Sequence, residues 1–366
     1  MKLRHVRTFR SAAIALAAIM LVGACSDGPN DEATTGTARQ ELVTVTLKWA
    51  NAGVFGAIAP RSDGSAIATA KDKAIAISPS GAMTTLFSGG TPKVQRGSEG
   101  FLVPTPKGTL VYDATGTRKG QVSHAINEYV KLIPGGLETF APRGRSGDPE
   151  NLDVEEARIF EADGSLVSKF KADDLVQSRL TKSHLFWATR DRIVKSTFGG
   201  ATEWTLEARA HRFEVDDRGQ SLIVNRAGDT RVVEVYEGTK RAGASTFDAP
   251  VWNLAIAPSG GFSAASSKTT ARLFDKGKLV TSIQLGDVFP TSLDVSDKGY
   301  VLVGTQDRRK KISAVTLYTA GGAVAWNKTF GDDDNAYRPD VRFSPDGSGF
   351  FVRDRAGLSF FAMVNP

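Results

Sequence analysis

One spacing constrains this chain more than any other feature. Seven stretches carry an aromatic or aliphatic run into a small-residue turn and out into a new strand-like run. Their glycines are Gly81, Gly116, Gly164, Gly200, Gly238, Gly277 and Gly322, at intervals of 35, 48, 36, 38, 39 and 45 residues. A period of this size marks a repeat array, in which each unit buries its apolar faces against its neighbours. Each stretch reads as a hairpin, with glycine supplying the positive φ that a tight turn requires. Four positions past the glycine stand Thr85, Gly120, Ser168, Trp204, Ala242, Thr281 and Trp326, so tryptophan is one filler of a recurring slot. A second series of turns interleaves with the first, near Gly64, Gly100, Gly136, Ser183, Gly219, Gly260, Gly299 and Gly347.

Two hairpin turns per unit make four strands. Short runs rich in Val, Ile, Phe and Thr alternate with Gly/Asp/Ser/Pro clusters, and long amphipathic helical patterns are absent, so the class is all-β. Four-stranded units of about 40 residues, repeated seven to nine times, specify a single β-propeller over residues 43–366. Eight first turns against seven second turns leave the last unit, with strands expected at 338–344, 349–353 and 358–364, without its outermost strand. The stretch VTVTLKW at 43–49 is expected to supply it and to close a ring of eight blades. Seven blades is the alternative if the divergent unit at 93–123 is not a blade. A pair of β-sandwiches competes for the same composition but predicts no period. Trp204 and Trp326 are expected in corresponding strands of the fourth and seventh blades, packed between neighbours.

FSPDGS and IAPSGG resemble the first turns of WD-repeat and TolB-like propellers. YTAGGAVAWN resembles the repeat of pyrroloquinoline-quinone-type propellers, whose Asp-x-x-Thr-Gly form is met only in part, at Asp113 to Gly116. For the quinone family, the resemblance implies a cofactor platform and a Ca²⁺ cage of carboxylate and amide ligands. No such set is found in the sequence, so neither a cofactor nor a metal is expected.

The N-terminus reads as a targeting segment. Lys2, Arg4, Arg7 and Arg10 precede SAAIALAAIMLVGA, an uncharged run of 14 residues, too short for a comfortable span and suited to a signal-peptide core. It ends at Cys25, the one cysteine of the chain, and VGAC resembles a bacterial lipobox. The expectation is a signal peptide over 1–24, an acylated Cys25 and a flexible polar tether over 25–42. An ordinary secretory signal with an incidental cysteine is the alternative. The resemblance implies a lipid-anchored protein of the bacterial cell envelope. Ser26 favours the outer membrane, facing the periplasm or the cell surface. Four of the 46 basic residues lie in the removed segment, which leaves 42 against 40 acids and removes most of the support for a nucleic-acid partner.

Candidate chemistry is sparse. Beyond the leader, His124, His184 and His211 fall on three different blades, with His184 expected at the opposite face from the other two. His124, His211 and Asp340 are the residues that a lyase or hydrolase at the channel mouth would use. Three unusual loops fall on one face, because second-to-third-strand loops and blade-to-blade loops emerge together. They are 142–156, with Arg143, Arg145 and Asp148; 306–313, with Arg308, Arg309, Lys310 and Lys311; and the acidic connection with Asp332, Asp333 and Asp334. The acidic run lacks the Asp-x-Asp-x-Asp-Gly pattern of a Ca²⁺ loop and reads as a solvated connection. Insertions on one face mark a binding face. The expectation is a non-catalytic scaffold for a protein partner in the envelope, similar in plan to the propeller lipoprotein of the outer-membrane protein assembly machine. A propeller enzyme is the alternative.

Overall fold

The computed structural model describes residues 43–94, 100–123, 129–133, 136–142, 154–161, 163–171, 175–189, 191–330 and 338–364. The expected signal peptide, Cys25 and the tether lie outside them. Eight sheets follow one another along the chain. Seven are four-stranded, and each of the first seven sheets is a simple antiparallel meander. Blade 1 spans 58–88, blade 2 93–122, blade 3 129–171, blade 4 177–206, blade 5 210–246, blade 6 251–284, blade 7 289–330 and blade 8 340–364. The turns into the outermost strands carry positive φ at Gly81, Gly116, Gly164, Gly200, Gly238, Gly277 and Gly322, all seven as the spacing predicts. The divergent unit is a blade too, which excludes the seven-bladed alternative. Its strands Gly100–Thr105, Gly108–Asp113 and Arg118–Val122 are joined on the inner side by a single bridge between Lys93 and Leu102.

Burial follows position in the blade. The second strands are covered on both sides by neighbouring blades, so Ala66–Ala70, Ser221–Arg226 and Phe262–Ser267 are almost continuously buried. The outermost strands Met83–Ser88, Lys240–Thr246 and Lys278–Gln284 are largely exposed and polar. This gradient is why the inner strands read as unbroken apolar runs and the outer ones do not.

Blade 8 closes the ring. Its outermost strand is Thr44–Ala52, paired antiparallel with Gly357–Val364 from Thr44 opposite Val364 to Ala52 opposite Gly357. The register slips by one residue between Leu47 and Trp49, and the extra residue, Lys48, turns the tryptophan inward. Trp49 is 6% exposed and packs on Phe351 and Phe360 of its own blade and on Ile58, Ala66 and Ile77 of blade 1. Its Nε1 donates to the Gly64 carbonyl at 3.3 Å, and Asn51 Nδ2 donates to the Gly81 carbonyl at 3.0 Å. Gly81 is required twice: its φ is +86°, and a Cβ there would stand 2.6 Å from Cβ of Trp49.

The same slip recurs in the outer strands and explains the tryptophan slot. The extra residue is Lys119, Val167, Glu203, Val280 or Ala325 in five blades, each three positions past the turn glycine. The next residue is therefore the slot residue. Trp204 and Trp326 sit in corresponding outer strands, Thr202–Leu206 and Val324–Phe330, as expected. Trp326 reaches Phe350 and Phe361 of blade 8 at centroid distances of 5.2 and 4.9 Å. Trp204 packs against a core cluster shared by blades 4 and 5. Trp49 fills the same slot in blade 8.

Candidate functional site

The inner strands of blades 5, 6 and 7 share one irregularity at their starts. In Ala210–Val215, Val251–Ile256 and Phe289–Val295 the register slips by one residue, leaving His211, Trp252 and Thr291 as the extra residues. The residue after each bulge reaches the next blade. Arg212 Nη1 donates to the Trp252 carbonyl at 2.8 Å, Asn253 Nδ2 to the Pro290 carbonyl at 3.3 Å, and Ser292 Oγ to the Pro339 carbonyl at 2.8 Å. Thr291 Oγ1 donates to that same Pro339 carbonyl at 2.7 Å. Side-chain bonds to backbone thus stitch four consecutive blades along the inner rim and hold the bulges in place.

Trp252 is 45% exposed, the one exposed Phe, Tyr or Trp among the residues whose burial is described. Its ring meets Phe289 edge-on, with centroids 5.1 Å apart at 68°. Two guanidiniums face the Phe289 ring, Arg308 at 5.1 Å and Arg338 at 5.4 Å from its centroid. Such contacts attract the cation to the ring without using a carboxylate.

The expected binding face is placed only at the turn 308–311, between Val301–Asp307 and Ile312–Tyr318. Arg143, Arg145, Asp148, Asp332, Asp333 and Asp334 lie outside the described residues. The four cations of the turn are not equivalent. Arg308 folds over Phe289, whereas Arg309 reaches Asp287 at 3.3 Å and Lys310 reaches Asp307 at 3.7 Å. Lys311 holds a left-handed φ of 55°. The backbone N–H groups of Arg309 and Lys310 both donate to Asp307 Oδ1 at 3.0 Å. The Lys310 N–H contributes most to holding that carboxyl below the usual carboxylate range. Lys268, in the corresponding turn of blade 6, lies 3.6 Å from Asp287. Because adjacent strands are antiparallel, these turns and the blade connections share one end of the blades with Trp252.

The other end presents different chemistry. His184 Nε2 pairs with Glu203 Oε1 at 2.9 Å, its Nδ1 lies 2.8 Å from Ser183 Oγ, and Lys195 Nζ lies 3.0 Å from Glu203 Oε2. Lys195 contributes most to lowering the Glu203 carboxyl. A groove of about 460 Å³ lies beside this chain of contacts, lined by Lys195, Trp204, Gln220, Ser221, Glu237 and Lys276 among others. His184 and His211 are at opposite ends of the blades, as expected; His124 lies outside the described residues. Asp340 is taken up by Arg342 at 3.3 Å and Arg353 at 3.4 Å. Among the described residues no group of three His, Cys, Asp or Glu side chains is arranged to hold a metal ion.

Trp252, Phe289 and Arg338 were not legible as a site from their spacing. Trp252 and Phe289 stand at or near one residue too many in an inner strand, which is a matter of register and not of residue identity. AHRF, VWNL and PTSL carry the extra residue at the same second position, so they align with one another without a gap and the bulge shows only in the strand register.

No protein-family model matches the chain, and no curated protein matches it either. Among solved structures it is similar to Hsv2 of Kluyveromyces lactis, at 12% identity over 71% of this chain and 87% of that one, with a TM-score of 0.51. A form of K. lactis Hsv2 with loop 6CD replaced by a Gly-Ser linker matches at 13% identity, 70% and 86% coverage and a TM-score of 0.51. Hsv2 of Kluyveromyces marxianus matches at 13%, 70% and 86%, with a TM-score of 0.50. At these identities the likeness shows the fold alone: the chain is an eight-bladed β-propeller.

Proposed function

We propose that this protein is a non-catalytic scaffold of the bacterial cell envelope, held to a membrane through an acylated Cys25. It binds a protein partner on the face that carries the second-to-third-strand turns. The observation that carries this reading is the turn 308–311, a hydrogen-bonded, exposed cationic tip at the same end of the blades as the exposed ring of Trp252. Mixed charge around an aromatic anchor suits a reversible, salt-sensitive protein contact. The lipobox-like VGAC supports the anchor.

Two experiments test the parts separately. Intact-mass analysis of the envelope-purified protein is expected to find a diacylglyceryl adduct on Cys25, and Cys25→Ser to release the body from membranes or block processing. A free N-terminus elsewhere would overturn the anchor. Crosslinking and pull-down from native envelopes is expected to recover a partner with the wild type. A variant neutralised at Arg308–Lys311 is expected to lose it. An identical partner set, or turnover of a small substrate by the wild type, would overturn the scaffold.

A further inference from the structure

We infer that the inner rim of blades 6 and 7 is the docking point for an acidic segment of a protein partner, with one apolar side chain of that segment seated on Trp252. The inference rests on the scaffold reading above and names the partner's chemistry.

The first support is the bulge. A strand without the extra residue at 252 would turn its side chains into the blade interfaces. The insertion instead leaves a tryptophan 45% exposed at the inner edge of the ring, fixed by the Arg212 bond to its carbonyl and by Phe289 against its edge. An exposed, rigid tryptophan in a stitched backbone is the residue type that dominates protein contacts when truncated.

The second support is charge. Arg308 and Arg338 are both held over one ring, and among the described residues neither pairs with a carboxylate. Two exposed cations beside one ring give this rim a positive potential that an arriving anion complements. Both side chains are exposed, and a guanidinium held near a ring can still grip a carboxylate in bidentate fashion. Lys311 extends the positive rim, and Arg309, Lys268 and Lys310 border it in pairs with Asp287 and Asp307.

The same residues favour a peptide over a nucleic acid. Asp287, 64% exposed at the side chain, and Asp307 break the rim into separate cationic patches, which suits carboxylates set on either side of an apolar residue more than a continuous run of phosphates. One exposed ring also offers no series of stacking platforms for successive bases.

The test uses the full chain and four fluorescent probes: a short Glu/Asp peptide with one central leucine, the same peptide with lysines for the acids, a thymidine oligonucleotide, and phosphatidylglycerol vesicles. Anisotropy is expected to show the acidic peptide binding with an affinity that falls as salt rises. W252A is expected to weaken it by about tenfold or more, and the pair Arg308→Glu with Arg338→Glu to abolish it and to favour the lysine peptide. Unchanged melting temperatures keep a folding defect from imitating the result. Equal affinity of W252A and wild type, or tighter binding of oligonucleotide or vesicle than of acidic peptide, would overturn the inference. If W252A still recovers the envelope partner and binds the peptide normally, the rim falls and the scaffold stands. If the peptide binds as expected but no partner is recovered by any variant, the scaffold falls and the rim stands.

Discussion

Trp49 and Trp252 are placed by the same device and end in opposite states. Each depends on one extra residue in a strand. At the seam the extra residue is Lys48, and the tryptophan after it turns inward to 6% exposure between blades 8 and 1. At the rim the extra residue is the tryptophan itself, and it turns outward to 45%. A β-bulge reverses the facing of whatever follows it. Shifting the insertion by one position relative to the tryptophan decides whether the ring is used to seal the fold or is left available to a ligand.

The largest expected effects lie at the seam. Deleting 43–49 removes most of the outer strand of blade 8 and exposes two strand edges that now pair. The loss of stability should exceed that of Trp49→Ala, itself about 3–5 kcal/mol. Denaturant unfolding of both variants checks the order, and an unchanged midpoint on deletion would break the contrast between seam and rim.

A graded series sharpens it. Trp326 is half-buried against Phe350 and Phe361, and Trp204 is half-buried beside a groove. Trp326→Ala is expected to cost about 2–3 kcal/mol and Trp204→Ala about 1–2 kcal/mol, both below the fully buried case. Equal costs for the three slot residues would mean that neighbour packing, not burial, sets the scale.

How far the sequence could be read follows from the same device. Glycine turns carry their signal in residue identity, so the period, the eight blades and the closing strand at 43–49 were legible from Gly64 to Gly347. Bulges carry theirs in register, which one sequence does not display. Trp49 was therefore missed as the eighth slot residue, because no hairpin glycine precedes it. Trp252 was missed because VWNLAI reads as an ordinary strand. The basic turn 308–311 was legible as charge, but the inward fold of Arg308 over Phe289 was not, since Phe289 is nineteen positions away.

Titration offers a smaller effect, away from both regions. Asp216 is buried under the first turn of blade 5; its Oδ1 accepts the N–H groups of Gln220 and Ser221, while Oδ2 is buried without a partner. Burial raises its pKa above the ordinary 3.8. The folded state therefore holds this proton more tightly than the unfolded chain. Its contribution is fully present below the unfolded pKa and is lost as pH rises through the folded one. Asp216→Asn keeps the two accepted bonds and removes the buried charge. The variant is expected to be more stable than wild type at neutral pH, by no more than about 1 kcal/mol, with the gap closing as the pH falls toward 4. A gap that widens on acidification would contradict the burial argument.

At the rim, Trp252→Ala is expected to change stability by no more than about 0.5 kcal/mol, although it should weaken ligand binding most. Thermal unfolding beside the peptide titration separates the two.

The inward and outward placement is tested most directly by ¹⁹F NMR of the intact protein labelled with 5-fluorotryptophan. Five resonances are expected, for Trp49, Trp187, Trp204, Trp252 and Trp326. A soluble gadolinium complex should broaden one of them far ahead of the rest, and Trp252→Phe should remove that same resonance. The Trp49 signal, assigned by Trp49→Phe, should be among the last to broaden. If Trp49 broadens as early as Trp252, or if the first signal lost is not that of Trp252, the seam is not sealed or the rim is not open as described.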